Sequence, residues 1–583
     1  MTLDKILYID LSKRRFHVRS RPDLFEKHIG GAGVAIRLLL EECPEKADPF
    51  GPENPIIFAV GPLTGLFPMA SKTVAMFKSP LTGNLGESHA GGRSATAIRM
   101  AGYGAIVVKG ISETPVYLAI YGGEVYFRDA SGIWGIESSY TVGRIVRELE
   151  SEAGLRTIMR IGRAGEKMVS YASVVVETYR HFGRLGLGAV FGSKKLKAVM
   201  ISGKHSVKVK NPQEYRILYD KILQLTVKSQ LMKKYHDIGT SSNVIPLNEL
   251  KALPSLNLRQ TSLKNAENIS GESLAEKHLG RRVSCSHCPV ACIHLATLRE
   301  PYEDEPYFYK TTMVPYDYEP IYSLGSMLGL TETDELLKLI DEVETQGLDA
   351  ISTGVVLAWA TEAYEKGLVT SMETMGLKLK WGDGETYREA VRRIVSQPNE
   401  FYSTLAKGVE KASLKHGGMD FALSFGGNEM PGYHTGPAAH LTFLTGARHS
   451  HLDSAGYSID EDNAKTGIGM TPRQIAEALF KEESWRQVLS SLVVCFFARG
   501  VYKPEIVLEC LKTVGFNPDI TLEDLSRIGV ETLKSKNEFK AREGFSHRDL
   551  RIPKRIFETE TPLGTLEEEF MGEGVEEFFR LIH

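Results

Sequence analysis

The stretch Ser284-Cys285-Ser286-His287-Cys288-Pro289-Val290-Ala291-Cys292 places three of the six cysteines of the 583-residue chain in one short loop. Thiols at this density either cross-link or share a metal. Disulfides fit poorly, because the charged start Met1–Lys5 does not resemble a signal peptide and a chain of this length needs no covalent staples. The loop is therefore predicted to bind a metal.

The C-x2-C-x3-C spacing of this loop resembles the uneven spacings that hold a cubane of iron and sulfide. Structural zinc usually draws on two C-x2-C pairs, or on one pair and two histidines. A cubane needs a fourth thiol, and Cys43, Cys495 and Cys510 remain. Cys43 lies in a Glu-Glu-Cys-Pro turn and Cys510 on a predicted helix. We predict that Cys495, whose neighbours in the sequence are apolar, is the fourth ligand. The alternative is an ordinary core cysteine, since free cysteine is often buried.

Composition excludes several classes of protein. The chain is 42% hydrophobic and 25% charged, and it contains no run of eighteen apolar residues, so no membrane span is expected. The formal net charge is −3 and no block of lysines or arginines occurs, which argues against nucleic acid as a partner. The length predicts about two to four domains. Reduced cysteine use and the absence of a signal sequence predict a cytoplasmic location.

The first 210 residues show the alternation and short apolar runs of β-strands. Strand pairs are predicted over 6–10 with 15–18 and over 116–121 with 124–128, and a Gly-Gly turn makes the second pair a hairpin. The runs Ile56–Val60 and Ala105–Lys109 are typical of fully buried strands. These strands are predicted to form one large sheet.

Two glycine-dense segments interrupt the predicted sheet. Glycine lacks the Cβ that keeps a ligand away from the backbone, and nearby arginines can hold phosphates. Neither segment matches the dinucleotide fingerprint or the P-loop. A single segment is explained equally well by glycines in turns, but two such segments with basic residues favour a large anionic cofactor. The candidate cofactor-binding residues are Gly91, Gly92, Arg93, Arg184 and Gly186.

Helical periodicity begins near residue 211 and continues to the end of the chain. The predicted class is α+β, with a β-rich domain over 1–210, a helical domain with the cysteine loop over 211–420, and a helical domain with Cys495 over 421–583. The acidic, aromatic stretch Pro301–Asp317 is predicted to be irregular, at the surface or at a partner-docking region. No internal repeat is visible. Helices are predicted over 215–234, 335–344, 349–367, 387–395, 402–414, 471–480, 484–497, 504–513 and 522–534.

Motifs along nearly the whole chain together resemble the aldehyde:ferredoxin oxidoreductase family, tungsten enzymes with two pyranopterin ligands. The resemblance implies a β saddle that carries a tungsten or molybdenum bis-pterin centre, with Mg²⁺ between the pterin phosphates as a further candidate. It also implies a 4Fe-4S cluster on Cys285, Cys288, Cys292 and Cys495. The motifs are Lys78–Gly83, Ala101–Tyr103, Gly188–Val190, Gly192–Lys194, the cysteine loop, Tyr318-Glu319, Gly347–Ser352, Glu429–Pro431, Gly446–His449 and Leu492–Cys495.

Two acidic motifs of this family grip the pterins, whose edges present donors much as a guanidinium does. Glu344 and Asp349 occupy the first motif, although the position of Asp349 alone is equally typical of a helix N-cap. The second motif has Ser490 where an acid is expected, so one pterin contact is altered. Lys72 replaces an arginine that links the cluster to a pterin, and His89 replaces an asparagine. A lysine ammonium group cannot donate the two parallel hydrogen bonds that an arginine guanidinium can.

For chemistry at the metal, the resemblance points to Glu319 and His449. Hydration of a carbonyl needs a base for the water proton and an acid for the developing oxyanion, and a carboxylate with an imidazole can share these tasks. The plain alternatives are a solvated turn glutamate and a satisfied core histidine. The neighbourhood departs from the family pattern, since His451 and Tyr457 add polar groups and His434 stands where an aspartate is common. The substrate pocket is therefore expected to differ.

The leading prediction is oxidation of an aldehyde to a carboxylic acid, with a ferredoxin or an iron–sulfur electron-transfer subunit as partner. The runner-up is reduction of a carboxylic acid or an aromatic acyl-CoA thioester by the same centre. Two alternatives come from other classes: a non-catalytic electron-transfer subunit with a degenerate pterin site, and a zinc-structured protein. A homodimer and a hetero-oligomer are both compatible with the sequence.

Overall fold

Two six-stranded sheets form the N-terminal region of the computed structural model, which describes residues 3–151, 154–302, 304–305 and 307–583. Helices dominate the remainder, so the predicted α+β class is confirmed, whereas the prediction of one large sheet is wrong. The first sheet contains β1 Lys5–Asp10, β2 Arg15–Ser20, β3 Ile56–Ala59, β4 Thr73–Lys78, β5 Leu85–Ala90 and β6 Ala105–Lys109. The second contains β7 Val116–Tyr121, β8 Glu124–Asp129, β9 Leu155–Arg160, β10 Val174–Val176, β11 Arg180–Phe182 and β12 Leu196–Gly203.

The two sheets share one topology. Their strand orders are β2-β1-β6-β3-β4-β5 and β8-β7-β12-β9-β10-β11, and each corresponding pair of neighbours has the same orientation. In both sheets the one parallel pair joins the first strand to the last, β1 to β6 and β7 to β12. The N-terminal region is therefore a structural duplication, which the sequence did not reveal as a repeat.

Continuous apolar runs form the inner strands because both faces of each sheet are covered. In β3, Ile56 and Phe58 face a core between the two sheets, whereas Ile57 and Ala59 face the core shared with the helical region. The short helices of this region are α1 Pro22–His28, α2 Gly31–Glu42, α3 Ser94–Ala101, α4 Ser139–Leu149, α5 Arg163–Glu166 and α6 Leu187–Ser193.

The middle of the chain combines helices with a three-stranded antiparallel ribbon. Its strands are β13 Leu279–Val283, β14 Ile293–Pro301 and β15 Tyr309–Tyr316. The prediction that 301–317 is irregular is wrong for β15, because the pairing partner of this strand lies outside the segment. The helices are α7 Pro212–Val227, α8 Gln230–Asp237, α9 Val244–Glu249, α10 Gly271–Lys277, α11 Tyr318–Leu324, α12 Thr333–Gln346, α13 Ala350–Glu365, α14 Gly384–Ser396, α15 Glu400–Leu405 and α16 Val409–His416.

The last part of the chain is helical apart from the two-residue strands β16 Ser424–Phe425 and β17 Asn428–Glu429. The helix predicted over 402–414 is two helices, since Gly408 between them has a φ of 96°. The two helices predicted over 471–480 and 484–497 are instead one, α19, followed by a cap that contains Cys495. The helices are α17 Pro437–Thr445, α18 Gly456–Thr466, α19 Pro472–Ser491, α20 Pro504–Thr513, α21 Leu522–Arg542, α22 Arg555–Glu558 and α23 Glu568–Ile582. No helix in the described ranges combines the length and apolar character of a membrane span.

A buried ion pair joins α13 to α22. Arg555 Nη2 donates to Glu362 Oε1 at 2.6 Å, and Glu362 is 1% exposed. We expect Glu362→Gln to lower the free energy of unfolding by about 3–5 kcal/mol, because it removes the buried counter-ion of the Arg555 guanidinium and leaves the exposed Glu558. Urea unfolding followed by circular dichroism measures the change. Glu365→Gln, which breaks the exposed pair with Arg259, should cost less than about 1 kcal/mol. Equal effects of the two changes would contradict the prediction.

Candidate active site

Two helices end in the same way where they meet the two sheets. At the end of α12, Leu348 N–H donates to Val343 O, and after α19, Val494 N–H donates to Leu489 O. These are the six-to-one bonds of a Schellman cap. The left-handed residue is Gly347 at one end, with φ 77°, and Val493 at the other, with φ 54°. A β-branched residue is strained in this conformation, so packing must impose it at Val493.

Each helix end is fixed to the sheet that it faces. Ser173 N–H donates to Gly347 O, and Lys72 N–H donates to Val493 O. The glycines at the ends of β3 and β9 permit this contact, since a Cβ at Gly162 would lie 2.3 Å from Gln346 O and one at Gly61 would lie 2.8 Å from Ser491 O. The duplication therefore extends to the site, with position 344 equivalent to 490 and 349 equivalent to 495.

The structure brings Cys495 to the cysteine loop. Cys495 N–H donates to Met69 O, and Met69 N–H donates to His287 O, both at 2.9 Å. The same loop is joined to the first glycine segment, because Ser286 N–H donates to Gly92 O at 2.8 Å. A Cβ at Gly91 would lie 2.5 Å from Cys285 Sγ, so glycine is required there.

Two cations lie beside the thiols. Arg180 Nη2 is 3.7 Å from Cys292 Sγ, and Lys72 Nζ lies near Gly91, the residue on which Cys285 packs. Burial would raise the pKa of Cys285, but Arg180 and Lys72 outweigh it and the pKa is lowered. Burial raises the pKa of Cys288 to about 12. Among the described residues, no three His, Cys, Asp or Glu side chains form a group that could hold a single metal ion.

A cavity runs from Cys292 to the end of α12 and the start of α11. Its lining includes Arg180, Glu319, Glu344 and Asp349. Several buried polar atoms around it have no hydrogen-bond partner in the described part of the chain. They include Arg180 Nε and Arg184 Nη1. Unpaired buried polar groups are costly, so a site of this kind indicates a ligand.

Asp349 caps α13 and also takes part in the site. Its carboxylate accepts from the backbone N–H groups of Ile351 and Ser352, which confirms the N-cap interpretation. Arg184 Nε donates to Asp349 Oδ2 at 3.3 Å, and Arg184 Nη2 donates to Glu429 O at 2.6 Å. The cap and the cavity wall are therefore one structure.

The two glycine segments form tight turns against the chain beside them. Arg93 Nη2 donates to Glu177 Oε2 at 2.6 Å, which joins the first sheet to the second. A Cβ at Gly92 would lie 3.2 Å from Glu177 Cγ. Gly186 has a φ of 84°, and a Cβ there would lie 2.1 Å from Ser170 O. These positions require glycine for local packing.

Two half-buried histidines each lie beside a carboxylate. His181 Nε2 is 2.6 Å from Glu344 Oε2, and His89 Nε2 donates to Glu87 Oε1 at 2.7 Å. Burial lowers the pKa of His89 to about 4. Ser490, equivalent to Glu344, is 3% exposed. The pairing of His89 is therefore with its own strand and not with the end of α19.

Glu319 lies in the first turn of α11 and faces His451. Glu319 Oε1 is 3.3 Å from His451 Nε2, and Glu319 Oε2 accepts from Gly432 N–H at 3.3 Å. Burial raises the pKa of Glu319 to about 8, with Arg184 acting against it. Burial and the positive Arg184 hold the pKa of His451 well below its usual value. The pair is thus poised as a protonated acid and a neutral imidazole.

His449 has different partners. Its Nε2 accepts from Lys540 Nζ at 3.0 Å, and its Nδ1 donates to Phe443 O at 2.9 Å. Burial and Lys540 lower the pKa of His449 well below the usual value. Both nitrogens are occupied, in contrast to His451, whose Nδ1 has no partner in the described ranges. The catalytic role of His449 remains a prediction.

Sequence reasoning did not single out Arg180, Glu87 or a catalytic role for His451. For His451, the signal was its position two residues after His449 in a segment already rich in polar groups. For Glu87, the signal was the Glu-x-His alternation with His89, which places both side chains on one face of a strand. Arg180 carried no local signal, because its contact with Cys292 depends on tertiary packing.

Comparisons with known proteins identify the family of this chain. Family models described as the N-terminal domain and as domains 2 and 3 of aldehyde ferredoxin oxidoreductase match residues 6–203 and 218–582. The tungsten-containing aldehyde ferredoxin oxidoreductase of Thermococcus kodakarensis is 32% identical over 556 residues, 93% of this chain and 89% of that protein. The protein of that name from Pyrococcus furiosus is 31% identical with the same coverage.

More distant similarities concern other named activities. The WOR-like subunit of an aliphatic sulfonate oxidoreductase from Pyrococcus furiosus is 29% identical over 428 residues, 70% of this chain and 67% of that protein. A chain of the active site complex BamBC of benzoyl coenzyme A reductase with 1,5-dienoyl-CoA has a TM-score of 0.83 at 22% identity, covering 100% of this chain and 94% of that one. It shows the same fold. The family models and the relatives above 30% identity confirm the resemblance seen in the sequence. This oxidoreductase belongs to the aldehyde ferredoxin oxidoreductase family.

Proposed function

We propose that this protein oxidises aldehydes to carboxylic acids at a tungsten–pterin centre and passes the electrons through a 4Fe-4S cluster to a ferredoxin-type acceptor. The observation that carries the proposal is the single cavity on which Cys292, Glu344 and Glu319 all border. Cys292 contributes a thiol, Glu344 contributes a carboxylate for a pterin edge, and Glu319 contributes an acid beside a histidine. The tungsten in the names of the relatives supports this choice of metal.

The residues present fit these groups. Thiolates are the usual ligands of iron–sulfur clusters, and the bonds from Cys495 to Met69 and from Met69 to His287 support Cys495 as the fourth ligand. Glu344 and Asp349 would hold the donors of one pterin edge. Arg93 and Arg184 would hold its phosphates, because guanidinium suits phosphate geometry. Mg²⁺ between the phosphates is part of the proposal.

Oxidation of an aldehyde R–CHO with one water gives R–COOH, two electrons and two protons. The bound tungsten–pterin centre would supply the acceptor for both electrons, and the cluster would supply their one-electron outlet. Glu319, protonated at neutral pH because its pKa is about 8, donates a hydrogen bond to the carbonyl oxygen. The neutral His451 accepts the proton of the attacking water. Two neighbouring groups with pKa values pushed apart can divide the acid and base roles in this way.

Elemental analysis of anaerobically purified protein tests the proposal. We expect about one tungsten and about four irons per chain, since one cubane holds four irons. Viologen reduction should then respond to at least one of a panel of aldehydes. Iron without tungsten or molybdenum would favour an electron-transfer subunit, and zinc without visible absorption would favour a zinc-structured protein. Activity only as reduction of an acid or an aromatic acyl-CoA thioester would favour the runner-up.

A ferredoxin or an iron–sulfur subunit is the partner that we propose, because a one-electron outlet needs a one-electron acceptor. The names of two similar proteins, a WOR-like subunit and an active site complex, support a hetero-oligomer as one arrangement, with a homodimer as the other. Native mass spectrometry of protein isolated from its own cells distinguishes these arrangements. A monomer without a bound subunit would favour a diffusing ferredoxin.

Replacement of the two histidines separates their roles. We expect His451→Gln to lower kcat by about 100-fold or more, because it removes the base that lies 3.3 Å from Glu319. His449→Gln should leave kcat within about threefold, since both nitrogens of His449 are occupied away from Glu319. Steady-state kinetics at saturating aldehyde measures both. A larger loss from His449→Gln would instead support His449 as the base.

A further inference from the structure

The duplicated site has a first half at the end of α12 and a second half at the end of α19. The first half has the carboxylate of Glu344, and the second half lacks a carboxylate at the equivalent position. The caps of α12 and α19 place Ser490 where Glu344 lies, and a serine hydroxyl cannot accept two parallel hydrogen bonds as a carboxylate can. If both halves hold similar ligands, a carboxylate must reach the second half from another element. Glu87 on β5 is buried, and its carboxylate lies beside His89.

Strand register shows which residue of the second half is equivalent to His181, the histidine beside Glu344. Val493 O binds the residue before β4, and Gly347 O binds the residue before β10, so the two strands start at equivalent positions. His89 pairs with the second residue of β4, and His181 pairs with the second residue of β10. His89 and His181 are therefore equivalent. Side chains two residues apart on a strand share a face, so Glu87 lies on the same face as His89.

Each equivalent histidine thus has one carboxylate, but from a different source. The helix α12 supplies Glu344 to His181 at 2.6 Å. The strand β5 supplies Glu87 to His89 at 2.7 Å. The position equivalent to Glu87 by register is Tyr179, which lines the cavity of the first half. The exchange of a helix carboxylate for a strand carboxylate leaves each of the two histidines with one acid beside it.

Glu87 is also connected to the helix that lacks the acid. Its Oε2 lies 2.5 Å from Lys536 Nζ, and Lys536 Nζ donates to Gln487 Oε1 at 2.5 Å. Gln487 is on α19, one turn before Ser490. Burial would raise the pKa of Glu87, but Lys536 and the bond with His89 outweigh it, so the carboxyl is ionised. A carboxylate has about four acceptor positions, so two remain for a ligand.

We propose that Glu87 is the carboxylate that grips the pterin of the second half-site, in place of the acid absent at Ser490. This inference rests on the proposed function, because it requires a two-pterin ligand. A pterin edge presents an amino group and a ring N–H, which a carboxylate binds with two parallel hydrogen bonds. Lys536 and His89 hold the Glu87 carboxylate in place for this contact.

The test measures cofactor content in place of activity. Anaerobically purified variants are analysed for pterin, as its fluorescent oxidised derivative, and for tungsten, each normalised to iron. We expect Glu87→Gln to lower tungsten and pterin per chain by roughly tenfold, with iron unchanged. Ser490→Asp added to Glu87→Gln should restore at least half of the content, which a merely structural role would not allow. Glu344→Gln serves as the matched variant of the first half and should lose a similar amount.

Glu87→Gln leaves Lys536 buried without its counter-ion, so folding needs a second variant. Glu87→Gln with Lys536→Met removes both charges and keeps the test decisive if the single variant unfolds. Full pterin and tungsten content in this folded double variant would overturn the inference. So would failure of Ser490→Asp to restore content while Glu344→Gln is depleted. Wild-type protein with iron but without pterin and tungsten would instead contradict the proposed function itself.

Discussion

Cys495→Ser should remove the iron–sulfur cluster from the protein. Iron is expected to fall from about four atoms per chain to less than one, and the visible absorption of the cluster should disappear, because the cluster loses one of the four thiolates that hold it. The physical reason lies in the cap after α19, which fixes Cys495 to Met69 and Met69 to the cysteine loop. Iron analysis and absorption spectra of anaerobically purified protein measure the change.

Cys43→Ala is the control for this substitution. Cys43 is 1% exposed and its Sγ lies against Pro44 O, among apolar side chains at the end of α2. Its removal should cost about 1–2 kcal/mol of stability and leave the iron content unchanged. If Cys495→Ser keeps four irons while folding normally, the fourth ligand is not Cys495, and the interpretation as a core cysteine is right.

Glu319→Gln should lower kcat by about 100- to 10,000-fold with little change in KM. Removal of a general acid or base typically costs this much, and an amide cannot donate an acidic proton to the developing oxyanion. The wild-type activity should also fall as the pH rises through about 8, since the acid form of Glu319 is lost there. The residual activity of Glu319→Gln should lack this limb. Stopped-flow reduction of a viologen across pH 6 to 10 measures both effects.

Glu483→Gln provides a matched control for the pH dependence. Burial also raises the pKa of Glu483 to about 8, but this carboxyl group accepts from Ala447 N–H at 2.9 Å and is not the group that faces His451. The variant should keep the loss of activity near pH 8. If Glu483→Gln abolishes the limb and Glu319→Gln preserves it, the titrating acid is not Glu319.

The sequence predicted much of this site because its strongest signals are local. The cysteine spacing, the glycine segments, and the Gly347 cap followed by the Asp349 N-cap are each defined within a few residues. Such patterns depend on short-range geometry, which survives in every context. The helix boundaries near Gly408 and Val493 were less predictable, because a left-handed residue in an apolar run depends on the tertiary packing around it.

The choice between His449 and His451 shows where sequence reasoning ended. The two residues are adjacent in pattern, both are buried, and either could accompany Glu319 in a sequence argument. The structure separates them, since Lys540 from α21 occupies His449 and Glu319 from α11 faces His451. Lys540 and Glu319 are each about ninety or more residues away along the chain, so no local signal could have placed them.

By itself, the sequence predicted a thiol loop for a metal, and it determined that a glycine-rich β region is followed by mainly helical chain. Only the tertiary structure decided that the β region is a duplication, that Cys495 lies at the loop, and that Glu87 lies beside His89 as Glu344 lies beside His181. The reason is physical: spacing within a loop or a helix cap is fixed by neighbouring residues. The docking of a helix end on a sheet brings together groups hundreds of residues apart, and packing alone selects which of them meet.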